Sequence, residues 1–147
     1  MRADELEAFL HDRIPLSTAM GVQVRSAAPD GVVLAAPLAP NVNHRDTAFG
    51  GSASALAILA AWSAVYVRMK SEGLAGRIVI RRNTMSYDRP VTADFVAKAA
   101  APGAAEWEKL RATLARNRTA RLRIRAWLEC DGECAGELEG EFAVLPP

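Results

Sequence analysis

From Ser52 to Met69 the chain runs without a glycine or a proline, and alanine dominates it. Alanine and leucine favour helix because they lose little side-chain freedom there. The segment is apolar almost all round, so a helix built from it has to be covered on most faces. It falls short of the roughly 20 apolar residues that a membrane span needs, and Ser52, Ser54 and Ser63 interrupt it. The expectation is a buried central helix, with side chains small enough for a sheet to come close. Gly73 follows as a candidate C-cap.

The rest of the chain has to supply that sheet. A chain of 147 residues is sized for one domain, taken here as residues 1–147, and can bury a core without staples. Residues 1–10 carry Asp4, Glu5 and Glu7 where a signal peptide needs bases. They read as an amphipathic helix with Leu6, Phe9 and Leu10 on one side, ended by Pro15. Residues 21–28 alternate Val22 and Val24 with Gln23 and Arg25 as a half-buried strand does, and Pro29-Asp30-Gly31 turns the chain into a second strand. Beyond the central helix, residues 77–89 read as a strand ended by Pro90, and residues 94–101 as another. Residues 104–114 fit either a short helix or the start of a strand. Residues 119–130 and 133–145 read as two long strands. The order is helix, two strands, long apolar helix, four strands. It implies an α+β fold with an antiparallel sheet wrapped around one helix, its open edges covered by a second copy.

The last two strands constrain their own register. Arg121, Arg123 and Arg125 alternate with Leu122, Ile124 and Leu128, and Glu137, Glu139 and Glu141 alternate with Leu138, Phe142 and Val144. A two-residue turn at Asp131-Gly132 mixes these faces. A three-residue loop, Asp131-Gly132-Glu133, pairs Arg125 with Glu139, Arg123 with Glu141 and Leu122 with Phe142, and is expected on that ground. It also sets Cys130 opposite Cys134, either as two small residues near a turn or as a redox-sensitive pair. Two cysteines make no disulfide framework, and reduced thiols in the cytoplasm are the expectation.

Chemistry concentrates just before the central helix, in Asn43-His44-Arg45-Asp46-Thr47-Ala48-Phe49-Gly50-Gly51. The first amides of a helix lack internal acceptors and sit at the positive end of its dipole. Such amides suit a developing oxyanion, as in attack on a thioester carbonyl. A tight turn at Gly50-Gly51, capped by Asp46, is the structural alternative.

This segment, the alanine-rich helix and the later Tyr87-Asp88-Arg89-Pro90-Val91-Thr92-Ala93-Asp94 resemble the hotdog-fold acyl-thioesterases. The closest likeness is to the thioesterase family found as the C-terminal domain of bacterial acetyltransferase-fused proteins. It spans about residue 15 to the C-terminus. The resemblance implies a carbonyl polarised by a glycine amide, Gly50 or Gly51, with Asn43 orienting water or carbonyl. Many relatives place His before the glycine pair and a carboxylate two turns into the helix. Here those positions are Phe49 and Ile58, and neither can act as a base. His44 and Asp46 remain as candidates to activate water.

The resemblance further implies a dimer, or a dimer of dimers, with residues 77–89 paired to their twofold mates. Phe49, Arg82, Asn83, Thr84 and Ser86 are then candidates to line the substrate site, and Arg81, Arg82 and Arg89 to meet phosphates of coenzyme A. The substrate is an acyl thioester on coenzyme A or acyl carrier protein. No metal is implied, and no cofactor beyond the coenzyme A of the substrate. A non-hydrolytic acyl-CoA binding or sensing domain and a hotdog dehydratase are the rival readings. Trp62, Tyr66 and Met69, spaced by four and three, fit core packing or an acyl-pocket wall. The net charge of +1, from 18 basic and 17 acidic residues, gives no support to a nucleic-acid binder or a membrane anchor. The arginines between 111 and 125 alternate against glutamates, as a paired sheet surface does.

Overall fold

The computed structural model describes residues 1–147. Helix α1 (Ala3–Arg13) ends against Pro15, which also starts a one-turn helix α2 (Pro15–Ala19). Proline suits that first helical position because its missing N–H would be unpaired there anyway. Strands β1 (Gln23–Ala28) and β2 (Gly31–Ala36) form the expected hairpin. The central helix α3 runs Gly50–Ser71, 22 residues, and so begins two positions before the reading from sequence. Strands β3 (Arg77–Tyr87) and β4 (Phe95–Ala100) follow, then helix α4 (Ala104–Ala115), β5 (Ala120–Cys130) and β6 (Glu133–Leu145). Residues 104–114, left open between helix and strand, are therefore helical: Trp107 and Leu110 recur at three-residue spacing and both are buried.

All six strands join one antiparallel sheet in the order β1-β2-β4-β5-β6-β3. It packs on α3 from β2, β4, β5, β6 and β3. The alanines set this contact: Ala57, Ala60, Ala61 and Ala64 are wholly buried. The helix ends in two bonds to its last turn, Gly73 N–H to Lys70 O and Leu74 N–H to Met69 O, with Gly73 at φ +66°. That left-handed position is one glycine adopts without strain, so Gly73 caps as expected. Arg68 and Lys70 complement the negative end of the dipole.

The β5–β6 hairpin corrects one expectation. Its body has the foreseen register, with Arg123 opposite Glu141, Arg125 opposite Glu139 and Leu122 opposite Phe142. The loop, however, holds two residues. Asp131 (φ +53°) and Gly132 (φ +75°) make a turn with both central residues left-handed, which matches strand twist. Cys130 therefore faces Glu133, and Cys134 faces Glu129. The two cysteines do not oppose each other, and both are free thiols. A register shift between Leu128 and Glu129 leaves Ala135 unpaired and restores the body register. The ion pairs then form one step along the strands: Arg123 reaches Glu139 at 3.6 Å, and Arg125 reaches Glu137. Strand twist favours such diagonal neighbours.

The two edges of the sheet differ. At β1 the Val24 N–H donates to Glu7 Oε2 (2.8 Å), and His11 Nε2 donates to Val22 O (2.8 Å). Helix α1 thus occupies that edge. Strand β3 bonds β6 on one side and has no strand on the other. It is irregular at Arg81, and Val79 (44%) and Ile80 (37%) are exposed.

Candidate active site

Asn41, in a 3-10 turn Ala39–Asn41, anchors the approach to α3. It is 2% exposed, and its Nδ2 donates to Met20 O (2.9 Å) and Pro37 O (2.7 Å). Its carbonyl accepts the Phe49 N–H at 2.7 Å. The chain then makes a tight excursion. Val42 bridges to Ala48, and Asn43 N–H donates to Thr47 O. The Asn43 side chain binds this loop from within: Oδ1 accepts from the amides of Arg45 (2.8 Å) and Thr47 (3.3 Å). Its Nδ2 donates to Thr47 Oγ1 (2.8 Å) and Ala48 O (3.3 Å). An asparagine suits this place because its short amide mimics a backbone turn.

His44, Arg45 and Asp46 form the exposed tip of the excursion. Asp46 adopts φ +61°, which Asp tolerates better than most residues. His44 and Asp46 form no ion pair with each other, and Asp46 borders a shallow depression with Asp94 and Asp131. The loop gathers the predicted residues in sequence, and Asp46 shares its depression with an acid from the β3–β4 connection and one from the β5–β6 turn.

That start carries free donors. Phe49 precedes the first turn without a side-chain cap, and no acid lies in that turn. Ala53 N–H is the first to bond back, to Phe49 O, which leaves the amides of Gly50, Gly51 and Ser52 without acceptors. Phe49, 57% exposed, lays its ring over Gly51, where a Cβ would overlap it. Tyr87, equally exposed, comes from β3 to the other glycine. A Cβ at Gly50 would stand 3.5 Å from its ring and 3.9 Å from its hydroxyl oxygen. Two aromatic rings thus flank the free amides. Tyr87 opens one of the blocks that carry the family resemblance, yet its sequence offered no role. Only the fold shows that β3 ends beside Gly50.

Two contacts hold Tyr87 there. The amides of Asp88 and Arg89 both donate to Ala135 O, at 2.9 and 3.2 Å. Ala135 is the residue the β5–β6 register shift leaves unpaired, so its carbonyl is free for them. After Pro90 the chain returns, and Val91 O accepts the Ala48 N–H at 2.8 Å.

The four polar residues expected on β3 divide between faces. Arg82, Thr84 and Ser86 pair with Glu141, Glu139 and Glu137 on the outer face. Asn83 pairs with Gly140 and shares the helix-facing side with Met85. Arg89 is engaged by Glu133 at 2.6 Å. Arg82 and Arg123 border one depression with Glu139 and Glu141. Of the series Trp62, Tyr66 and Met69 on α3, Met69 is buried at 3%. Trp62 and Tyr66 stack at 4.8 Å, and both stack on Phe9. Trp62 Nε1 donates to Ile78 O at 3.1 Å. A cleft of about 280 Å³ runs along the Ala55, Ile58, Leu59 and Trp62 face of α3, with Met20 and Ile80 among its opposite walls.

Comparison with known proteins agrees with this architecture. The family model described as "putative thioesterase (yiiD_Cterm)" matches residues 3–146. A protein of unknown function from Chlorobaculum tepidum is 30% identical, with a TM-score of 0.93 over 99% of this chain and 94% of that one. A structure described as a putative thioesterase, from Shewanella oneidensis, is 28% identical with a TM-score of 0.88. It covers 98% of this chain and 97% of its own. A Haemophilus influenzae thioesterase at 13% identity shares the fold, with a TM-score of 0.78 over 99% of this chain and 92% of that one. The sheet wrapped on one long helix is the hotdog fold, and this chain belongs to the YiiD_C thioesterase family.

Proposed function

We propose that the protein hydrolyses an acyl thioester of coenzyme A or acyl carrier protein, with water as nucleophile. The observation that carries the reading is the run of three unpartnered amides at Gly50, Gly51 and Ser52, opened by exposed Phe49 and flanked by Tyr87. Family membership supports thioester hydrolysis in general. The thioester carbonyl oxygen sits at the amides, which stabilise the oxyanion as water attacks. The tetrahedral intermediate collapses with loss of the thiolate, which takes up a proton. Asn43 shapes the loop, and His44 or Asp46 takes the proton of the attacking water. In this proposal Phe49 and Asn83 meet the acyl thioester, and Arg82, on the outer face with Thr84 and Ser86, is the residue offered to a coenzyme A phosphate. No cofactor beyond the coenzyme A of the substrate and no metal enters this scheme.

The acting unit is a homodimer paired through β3, with a dimer of dimers as its extension, working in the cytoplasm. The open edge of β3 and the exposure of Val79 and Ile80 support the pairing. A second reading, acyl-CoA binding without hydrolysis, draws on one observation. The Asn43 amide is fully engaged within its own loop, so it has no donor left for water or carbonyl.

Release of free thiol from a panel of acyl-CoAs separates the two. Hydrolysis predicts thiol release by the parent and a loss of about tenfold or more in kcat for either His44→Ala or Asp46→Ala. Release unaffected by both substitutions removes these residues from the mechanism, and binding without release favours the second reading.

A further inference from the structure

We propose that Tyr87 is a catalytic residue: its phenol hydroxyl donates a hydrogen bond to the thioester carbonyl oxygen and holds it as the oxyanion charge develops. The inference rests on the thioesterase reading and adds a side-chain donor to it. Three observations carry it.

The first is placement. Three successive atoms along the Tyr87 ring edge, Cε1, Cζ and the hydroxyl oxygen, stand 3.5, 3.7 and 3.9 Å from where a Cβ of Gly50 would lie. Distances so nearly equal mean that the ring edge runs alongside Gly50, and its hydroxyl end does not point away. A Cα–Cβ bond in a helix tilts toward the N-terminus, the way the free amides also point. The hydroxyl therefore lies ahead of the helix start, on the side where an acceptor for these amides sits. One oxygen bridges an amide and a hydroxyl that stand within about 5.6 Å of each other, with bonds of ~2.9 Å and ~2.7 Å. A Cβ lies about 2.5 Å from its own nitrogen. A hydroxyl 3.9 Å from that Cβ position meets the limit at any angle below about 120°.

The second is availability. Asn43, the side chain that the family likeness offers to the carbonyl, spends its Nδ2 on Thr47 Oγ1 and Ala48 O. The Tyr87 hydroxyl, unlike the indoles of Trp62 and Trp107, has no partner within the chain. It is a neutral donor, and no acid in the first turn of α3 competes for it or for the amides. The third is rigidity. Tyr87 pairs with Gly136, where a Cβ would stand 2.5 Å from Ser86 O, so glycine is what lets the strands close there. Just beyond, the amides of Asp88 and Arg89 bind Ala135 O, and Arg89 is tied to Glu133 at 2.6 Å. A donor fixed before the reaction stabilises developing charge without reorganising for it.

In the step, the water oxygen bonds the carbonyl carbon and its proton leaves to His44 or Asp46. The carbonyl π pair moves onto oxygen, where the amides and Tyr87 bind it. That pair returns as the carbon–sulfur bond breaks, and the thiolate departs with the bond's electrons and takes up a proton. Tyr87 keeps its own proton throughout.

The test compares the parent with Tyr87→Phe, which keeps the ring beside Gly50 and removes only the hydroxyl. Steady-state hydrolysis is measured on the acyl-CoA that the parent cleaves fastest. Calorimetry measures two uncleavable probes: S-heptyl-CoA, which has no carbonyl, and its ketone counterpart, with a carbonyl next to the S-methylene. Tyr87→Phe is expected to lower kcat by about tenfold or more while KM moves by less than about twofold. It should weaken the ketone by about tenfold and leave S-heptyl-CoA within about twofold. Circular dichroism and thermal unfolding check that the variant folds. An unchanged kcat overturns the proposal. A loss confined to KM, with both probes weakened alike, makes the ring a mere wall and overturns it too. If the parent cleaves no acyl-CoA, yet binds the ketone more tightly than S-heptyl-CoA and loses that preference in Tyr87→Phe, the carbonyl contact stands and the hydrolysis reading falls. A parent that neither cleaves nor tells the probes apart overturns both.

Discussion

Asn41 and Asn43 stand two positions apart and hold the loop from opposite sides. Asn43 closes the excursion on itself, while Asn41, buried, fastens that excursion to α2 and to the first residue before α3. The resemblance drew attention to Asn43, and nothing in the sequence marked Asn41, because burial rather than residue type gives it its role. Asn41→Ala leaves the carbonyls of Met20 and Pro37 unpaired in the interior. A cost of about 1–3 kcal/mol is expected, read as a fall of roughly 3–10 °C in Tm. Gly51 presents a different demand. A methyl group there overlaps the Phe49 ring, whereas at Gly50 it meets Tyr87 at ordinary contact distance. Gly51→Ala should therefore lower kcat/KM for an acyl-CoA by about tenfold or more, and Gly50→Ala by clearly less. Equal losses would show that displacement of Phe49 is immaterial.

At the scale of elements, the β5–β6 hairpin shows where sequence reading stops. Alternation of arginines with leucines and glutamates reports the bodies of both strands, and those pair as read. It is silent on the turn, because a bulge can absorb one residue without disturbing either face. The chain uses the tight turn and the bulge together, and the bulge then supplies the Ala135 carbonyl that holds the residues after Tyr87. Helix α4 is ambiguous in sequence for a related reason: its large apolar residues are only Trp107, Leu110 and Leu114, and its docking depends on a distant partner. That partner is Glu72, past the end of α3. Its Oε1 accepts from Trp107 Nε1 (3.0 Å) and Arg68 Nε (2.7 Å), while Arg111 lies 3.5 Å from Oε2. The Trp107 bond first, then Arg68, holds the Glu72 carboxyl below its ordinary range. A carboxylate so lowered stabilises the fold above its unfolded value near 4.5, and this contribution fades as pH falls through the folded value. Glu72→Gln should thus lower Tm at pH 7, and the difference from the parent should shrink in thermal scans below about pH 4.

Across the whole molecule, the central helix and its enclosing sheet were legible because one alanine-rich segment permits little else. The site was legible only in part. The glycine pair and its loop stand out as residues, but the turn that exposes His44 and Asp46, and the approach of Tyr87 from β3, depend on contacts far apart in sequence. The sheet's two ends carry the remaining expectation. If β3 pairs with its twofold mate, the parent should sediment at twice its 15.8 kDa chain mass. Val79→Lys, which sets a charge on that edge, should shift it toward the monomer with its circular dichroism intact. A parent that sediments as a monomer at micromolar concentration refutes the pairing. The unequal edges also bear on a hazard common to open sheets. Strand addition polymerises a protein only when both ends of its sheet accept a neighbour. Here Glu7 and His11 engage the Val24 amide and the Val22 carbonyl at the β1 end, so a neighbour adding there would first have to displace the first helix of the chain, and that helix stands against growth beyond the β3 pair.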